Sequence, residues 1–130
     1  DIEYMKGLCR KIAKLGCRAV LLKGGHLDER QIHDVLYLAE KDQFHVWTHR
    51  KLETKSTHGT GCTLSAAICS YLAQGHDIHS ATSLAIEYIA TAIQTASPIG
   101  KGNGPVNHLH SSLQRSIPPI SQHNATPLSD

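Results

Sequence analysis

The sequence predicts an α/β sandwich. Three observations carry that prediction: an amphipathic helical pattern at the start, an apolar run too continuous for a half-exposed strand, and two later helical patterns rich in small residues. In the first pattern, over residues 2 to 15, Ile2, Met5, Leu8, Cys9, Ile12 and Leu15 fall at helical spacing, with Lys6, Arg10, Lys11 and Lys14 off the stripe. Gly16 supplies its stop. The run Ala19-Val20-Leu21-Leu22 is apolar on consecutive positions and ends in Lys23-Gly24-Gly25, which suits a strand covered on both faces.

Asp34 to Leu38 and Phe44 to Thr48 are short β-prone stretches joined by the polar link Ala39-Glu40-Lys41-Asp42-Gln43, so they predict an antiparallel hairpin. Arg50 to Gly61 is poor in large apolar residues and reads as a loop. Leu64, Ala67, Ile68, Tyr71 and Leu72 then repeat at helical spacing up to Gly75. A second such helix runs from Ser80 to about Ala96, with Leu84, Ala85, Tyr88, Ile89, Ala92, Ile93 and Ala96 on one face. A glycine-rich loop, Gly100-Lys101-Gly102-Asn103-Gly104, follows, and then a short segment from Val106 to His110. Beyond Ser111 the chain holds three of its five prolines among Ser, Gln and Asn, with no apolar period, so residues 112–130 are expected to form a disordered polar tail.

Composition narrows the function classes. A chain of 130 residues, 40% hydrophobic and 18% charged, fits one globular domain rather than a disordered or coiled-coil chain. Thirteen Lys and Arg against eleven Asp and Glu give a formal charge of +2, with no basic run longer than two, so nothing favours nucleic acid or a membrane surface. No apolar run approaches the roughly 18 residues of a membrane span and no secretory signal pattern opens the chain, which makes the cytoplasm the expected compartment. Cys9, Cys17, Cys62 and Cys69 form neither a CxxC pair nor a Cys/His cluster. They are expected to be free thiols, with no metal site among them. The chain opens at Asp1 with its only methionine at Met5, which suggests sequence missing upstream.

The chemistry concentrates at Thr57-His58-Gly59-Thr60-Gly61-Cys62-Thr63, directly before a helical pattern. Glycines there let backbone N–H groups converge on an anion, and the first helical turn adds unsatisfied donors and the positive dipole end. No lysine follows Gly61, so a P-loop does not match, and a glycine-rich helix cap serves the pattern equally well. Cys62 at such an N-terminus is placed to act as a thiolate base, or else to pack as a small hydrophobe, the role that Cys9, Cys17 and Cys69 also fit. Lys23 ends a buried strand, where open α/β sheets bind ligands, and is either a phosphate contact or a solvated strand-end lysine. Lys101 lies in a Gly-Lys-Gly that carries little weight by itself. His26, His58 and His108 are candidates for polar contacts, with a surface role the plainer reading for each.

Four segments in order, Val20-Leu-Leu-Lys-Gly-Gly-His26, Asp34-Val-Leu-Tyr37, Thr54-Lys-Ser-Thr-His-Gly-Thr-Gly-Cys-Thr-Leu-Ser65 and Ile99-Gly-Lys-Gly-Asn-Gly-Pro-Val-Asn-His108, resemble the C-terminal half of the hydroxymethylpyrimidine/phosphomethylpyrimidine kinases of thiamine biosynthesis. The resemblance spans about residues 1 to 110. It implies the C-terminal half of a ribokinase-like α/β/α sandwich over residues 1–111, with the hairpin and helices packed on a mostly parallel sheet. It also implies ATP- and Mg2+-dependent phosphoryl transfer to 4-amino-5-hydroxymethyl-2-methylpyrimidine and to its monophosphate. By the same resemblance Gly59, Thr60, Gly61 and Cys62 match the anion hole, and Cys62 also matches the catalytic base. Lys23, Gly24, Thr57, Lys101 and Gly102 would lie about the nucleotide.

Such kinases are about twice this length, so the pyrimidine pocket and the acidic residues that organise magnesium are expected upstream of Asp1. A half sheet would also leave an edge and a helix layer unpartnered. The resemblance keeps three further options open: a pyridoxal-type kinase, which shares fold and chemistry; a truncated, non-catalytic remnant that binds nucleotide or a partner; and a homodimer, since dimers are common in the family.

Overall fold

The computed structural model describes residues 1–25, 30–51, 57–97 and 100–110. Helix α1 (Ile2–Ala13) is capped by Asp1, whose carboxylate accepts from the Glu3 N–H at 2.9 Å. Its first turn carries Glu3 and its last turn Arg10 and Lys11, charges that complement the helix dipole. Strand β1 (Ala19–Leu22) follows, then β2 (Gln31–Leu38), a single turn of 3-10 helix at Ala39–Lys41, and β3 (Gln43–Arg50). The turn closes through Asp42 in the left-handed region (φ 46°). The chain ends its regular structure with α2 (Thr60–Ala73) and α3 (Ile78–Gln94). Asp77 caps α3, accepting from the Ser80 N–H at 2.7 Å, and that hydrogen bond holds its carboxyl below the ordinary range.

The sheet runs in the order β1-β2-β3, and side-chain alternation sorts its residues onto two faces. Val20, Val35 and Tyr37 pack with Cys9, Met5 and Phe44 under α1. On the other face Leu21 joins Leu64, Ala85 and Ile89 from α2 and α3. There the β3 residue Trp47 donates its indole N–H to Ser83 of α3 at 3.3 Å, and His45 lies against His79 with ring centroids 4.1 Å apart. Burial and the neighbouring His79 push the His45 pKa down. Helix, sheet and helix pair thus form the three layers of the predicted α/β/α sandwich.

Two expectations need correction. The β2–β3 hairpin pairs antiparallel as expected, but β1 also pairs antiparallel with β2, so the mostly parallel sheet is not seen among the described strands, and the isolated bridge between His58 and Pro105 is the single parallel contact among the described residues. Residues 23–30 and 39–42 are the links between these strands, shorter than the crossover of about a dozen residues or more that a parallel pair requires. Of the cysteines, Cys9 is buried as a small hydrophobe, but Cys17 and Cys69 are exposed, as is Cys62. Cys17 sits beyond the end of α1 at the Gly16 stop, and Cys69 faces away from the α2 residues Leu64, Ala67, Ile68 and Tyr71 that pack on α3. The tail expected over 112–130, with Ser111, lies outside the described residues, as do His26, Thr54 to Ser56 and Ile99 of the quoted motifs. No described helix is long and apolar enough to cross a membrane.

Candidate active site

Two structural junctions meet on the α2/α3 side of the sheet. The first is the carboxyl end of β1. Lys23 continues the register beyond the Leu22–Val35 pair, which sets it across from Asp34 on β2. Its Nζ donates to Asp34 Oδ2 at 2.7 Å, and the next amide, Gly24 N–H, donates to Oδ1 at 3.1 Å. The Asp34 side chain is 0% exposed and that of Lys23 is 33% exposed, so the carboxylate is sealed while the ammonium still reaches solvent. His49 Nδ1 stands 3.8 Å from the same Oδ2. Gly24 is sterically required: a Cβ there would lie 2.4 Å from the backbone oxygen of His33.

The second junction is the start of α2. Gly59 takes the N-cap position with φ 80°, a left-handed conformation that glycine adopts at least cost, and offers no capping side chain. Thr60 Oγ1 donates back to the Thr57 carbonyl at 2.5 Å, and the Thr63 N–H closes the first helical bond to the Gly59 carbonyl at 2.9 Å. Between them, the N–H groups of Gly61 and Cys62 have no backbone acceptor among the described residues, the usual state of a helix's first turn. Nothing lies within 4 Å of a Cβ built on Gly61, so its approach is open. The α2 start is also tied to the glycine-rich loop: His58 N–H donates to the Gly104 carbonyl at 3.0 Å, beside the His58–Pro105 bridge. Further along, Asn107 N–H donates to the Ala92 carbonyl at 2.8 Å and Tyr88 donates its hydroxyl to the His108 carbonyl, which anchor the segment on α3.

Both junctions open onto one cleft of about 490 Å³, lined by Leu21, Lys23, Gly61, Leu64, Ser65 and Ile68. The cleft therefore brings Lys23 together with Gly61, while Gly59, Thr60 and Cys62 are their immediate chain neighbours in the same first turn. Thr57, Lys101 and Gly102 are exposed and do not line the cleft; the His58–Gly104 bond places their two segments side by side. Sequence reasoning missed Asp34 as a site residue. The available signal was an ionisable residue opening the apolar run Val35-Leu36-Tyr37, a position where a lone carboxylate needs a buried partner.

The arrangement is suited to anions: amides with no backbone acceptor among the described residues at a dipole's positive end, an ammonium across the cleft, and an exposed thiol at the third helical position. It is less suited to a divalent cation. The cleft lining holds a lysine and no carboxylate, Asp34 already accepts from Lys23 and Gly24, and no cluster of three His, Cys, Asp or Glu among the described residues could hold a metal ion.

Comparison with known proteins agrees with this geometry. The sequence model of the phosphomethylpyrimidine kinase family matches residues 1–107. Over 109 residues the chain is 45% identical to the thiamine biosynthesis bifunctional protein ThiED of Geobacter sulfurreducens, covering 84% of this chain and 22% of that protein. It is 38% identical over 109 residues to the hydroxymethylpyrimidine/phosphomethylpyrimidine kinase of Bacillus subtilis, covering 83% of this chain and 40% of that protein. The chain thus spans less than half the length of either relative. Among solved structures it is similar to a Bacillus subtilis pyridoxal kinase in an ADP complex, with a TM-score of 0.78 and 33% identity over 87% of this chain and 43% of that one.

Proposed function

The chain belongs to the phosphomethylpyrimidine kinase family, and from that premise we propose that its protein transfers the γ-phosphoryl group of ATP to the hydroxymethyl group of 4-amino-5-hydroxymethyl-2-methylpyrimidine, and then to the monophosphate so formed. In this reading the described residues supply the phosphate-handling half. The observation that carries it is the shared cleft, where Lys23 from the end of β1 and Gly61 from the first turn of α2 face one space.

Cys62, as a thiolate, takes the proton of the attacking hydroxyl; that oxygen bonds to the γ-phosphorus, the bond to the bridging oxygen breaks, and ADP leaves with the electron pair. The Gly61 and Cys62 amides, with Gly59 and Thr60 setting their direction, meet charge on the moving phosphoryl group, and the Lys23 ammonium meets charge on the nucleotide phosphates. Such fixed dipoles and charges need no reorganisation as the transfer proceeds, which is the main catalytic requirement of a loose phosphoryl-transfer state. Magnesium neutralises phosphate charge in this chemistry, but the described residues do not fit a site for it; their contribution is amide dipoles and one cation. Gly24 borders the nucleotide from the end of β1, and Thr57 and the Lys101-Gly102 loop border it from the two flanking segments.

The test is turnover of the full-length gene product with ATP and the pyrimidine, followed by ADP release. Cys62→Ala should lower kcat by about 100-fold or more, the range of a lost general base, while nucleotide affinity changes little. Equal turnover in the variant removes the base assignment. A pyridoxal-type substrate is the second reading, supported by the likeness to the pyridoxal kinase; a higher kcat/KM for pyridoxal than for the pyrimidine selects it. Nucleotide binding without turnover of either, indifferent to Cys62→Ala, selects a non-catalytic role.

A further inference from the structure

We propose that Asp34 is a positioning residue for the phosphoryl transfer, acting through Lys23; the inference rests on the phosphate role of Lys23 given above. A lysine side chain has four rotatable carbons and gives up considerable rotamer freedom when it must meet a phosphate. Asp34 imposes that loss in advance. Its carboxylate is wholly buried, and a buried carboxylate must be met by donors; here they are Lys23 Nζ at 2.7 Å and the Gly24 N–H at 3.1 Å. One carboxylate therefore fixes both the tip of Lys23 and the amide that follows it in the chain, so the lysine and its strand end move as a unit.

The geometry also leaves the ammonium usable. It has three N–H donors, Asp34 Oδ2 takes one, and the side chain remains 33% exposed along the cleft it shares with Gly61. A pair meant only to seal the sheet has no need to border a cleft. His49 Nδ1, at 3.8 Å from Oδ2, sits behind the pair as a more distant neighbour on β3. Removing the Asp34 charge should then have two opposite effects. Lys23 loses its fixed direction, which lowers kcat, while the site becomes more positive, which leaves nucleotide binding as tight as before or tighter.

The experiment is a double-mutant cycle in the full-length gene product with Lys23→Met and Asp34→Asn, the asparagine retaining an oxygen for the Gly24 N–H. Asp34→Asn is expected to lower kcat about tenfold with KM for ATP unchanged or reduced. In the Lys23→Met background the same substitution should change kcat less than about twofold, because the group it positions is gone. Equal losses in both backgrounds, or a rise in KM without a fall in kcat, overturn the inference and leave Lys23 untouched. An unchanged kcat in Lys23→Met alone overturns the phosphate role of Lys23 and the inference with it. Should Asp34→Asn fail to fold, the wild-type protein with 15N-labelled lysine decides the matter. A slowly exchanging Lys23 Nζ signal that shifts on adding a nonhydrolysable ATP analogue supports the positioning role, and a rapidly averaged signal that does not shift overturns it.

Discussion

The two junctions that meet at the cleft are built on opposite principles. At the end of β1 a charge is fixed by burial: Asp34 is sealed in the sheet, and the strand backbones come so close that Gly24 has no room for a Cβ. At the start of α2 the groups are peptide N–H groups set mainly by backbone conformation, with Gly59 left-handed, no side chain capping the helix, and Gly61 in open space. A flexible side chain needs a partner to be aimed, whereas a peptide N–H is aimed by the helix that contains it. Substitutions at the first junction should therefore register in stability, and those at the second mainly in activity.

Lys23→Met tests the first half of that contrast most severely. It leaves the Asp34 carboxylate buried with the Gly24 amide and the distant His49, and breaking a buried pair from one side costs about 3–5 kcal/mol when both partners are sealed. Since the Lys23 side chain is one-third exposed, about 3 kcal/mol or less is expected, measured by urea unfolding. Adding Asp34→Asn should restore part of the loss, because the stranded charge is then gone. A double variant less stable than Lys23→Met would show that the pair is not the unit it is taken to be.

Gly24→Ala comes next. The new methyl would meet the His33 carbonyl oxygen at 2.4 Å, and that oxygen belongs to the sheet backbone, which has little room to give. A loss of about 1–3 kcal/mol is expected, accompanied by lower turnover as the Lys23 turn shifts. Gly59→Ala provides the control from the other junction. There the nearest atom to an added Cβ is Thr63 Oγ1 at 4.0 Å, so space is adequate and only the left-handed backbone objects, at about 1 kcal/mol. If the two variants lose the same stability, crowding is not what distinguishes the junctions.

Much of this contrast was legible in the sequence at the level of elements and motifs. The helical stripe of α1, the strand Ala19–Leu22 and the hairpin all stand where periodicity and turn chemistry put them, although β2 and β3 extend to Gln31 and Arg50. Those extensions carry His33 and His49, polar residues whose strand membership follows from cross-strand pairing rather than from their own propensity. The glycine-led start of α2 was readable because glycine spacing before a helix is a local signal. Asp34 was not, because its role depends on a lysine eleven positions away that only the β1–β2 register brings alongside. The exposure of Cys69 was legible in principle: it falls off the stripe of Leu64, Ala67, Ile68 and Tyr71 that packs on α3, and its apolar character alone pointed inward.

The smallest expected change in stability is also the sharpest probe of the second junction. Gly61 lies at the second position of α2 in helical conformation, and a Cβ there meets nothing within 4 Å. Alanine is the better helix former, by up to about 1 kcal/mol in a helix interior, and less in a first turn whose amides are not yet hydrogen-bonded. Gly61→Ala should therefore raise stability by roughly 0.5 kcal/mol, visible as a slightly higher Tm. The same methyl projects from a residue that lines the cleft beside Lys23, where a phosphoryl group would have to approach the amide closely. Turnover should fall while stability rises, an inversion that no substitution at the β1 end can produce, since there room and fold are the same constraint. A variant both more stable and fully active would mean that the Gly61 amide does not contact the transferred group.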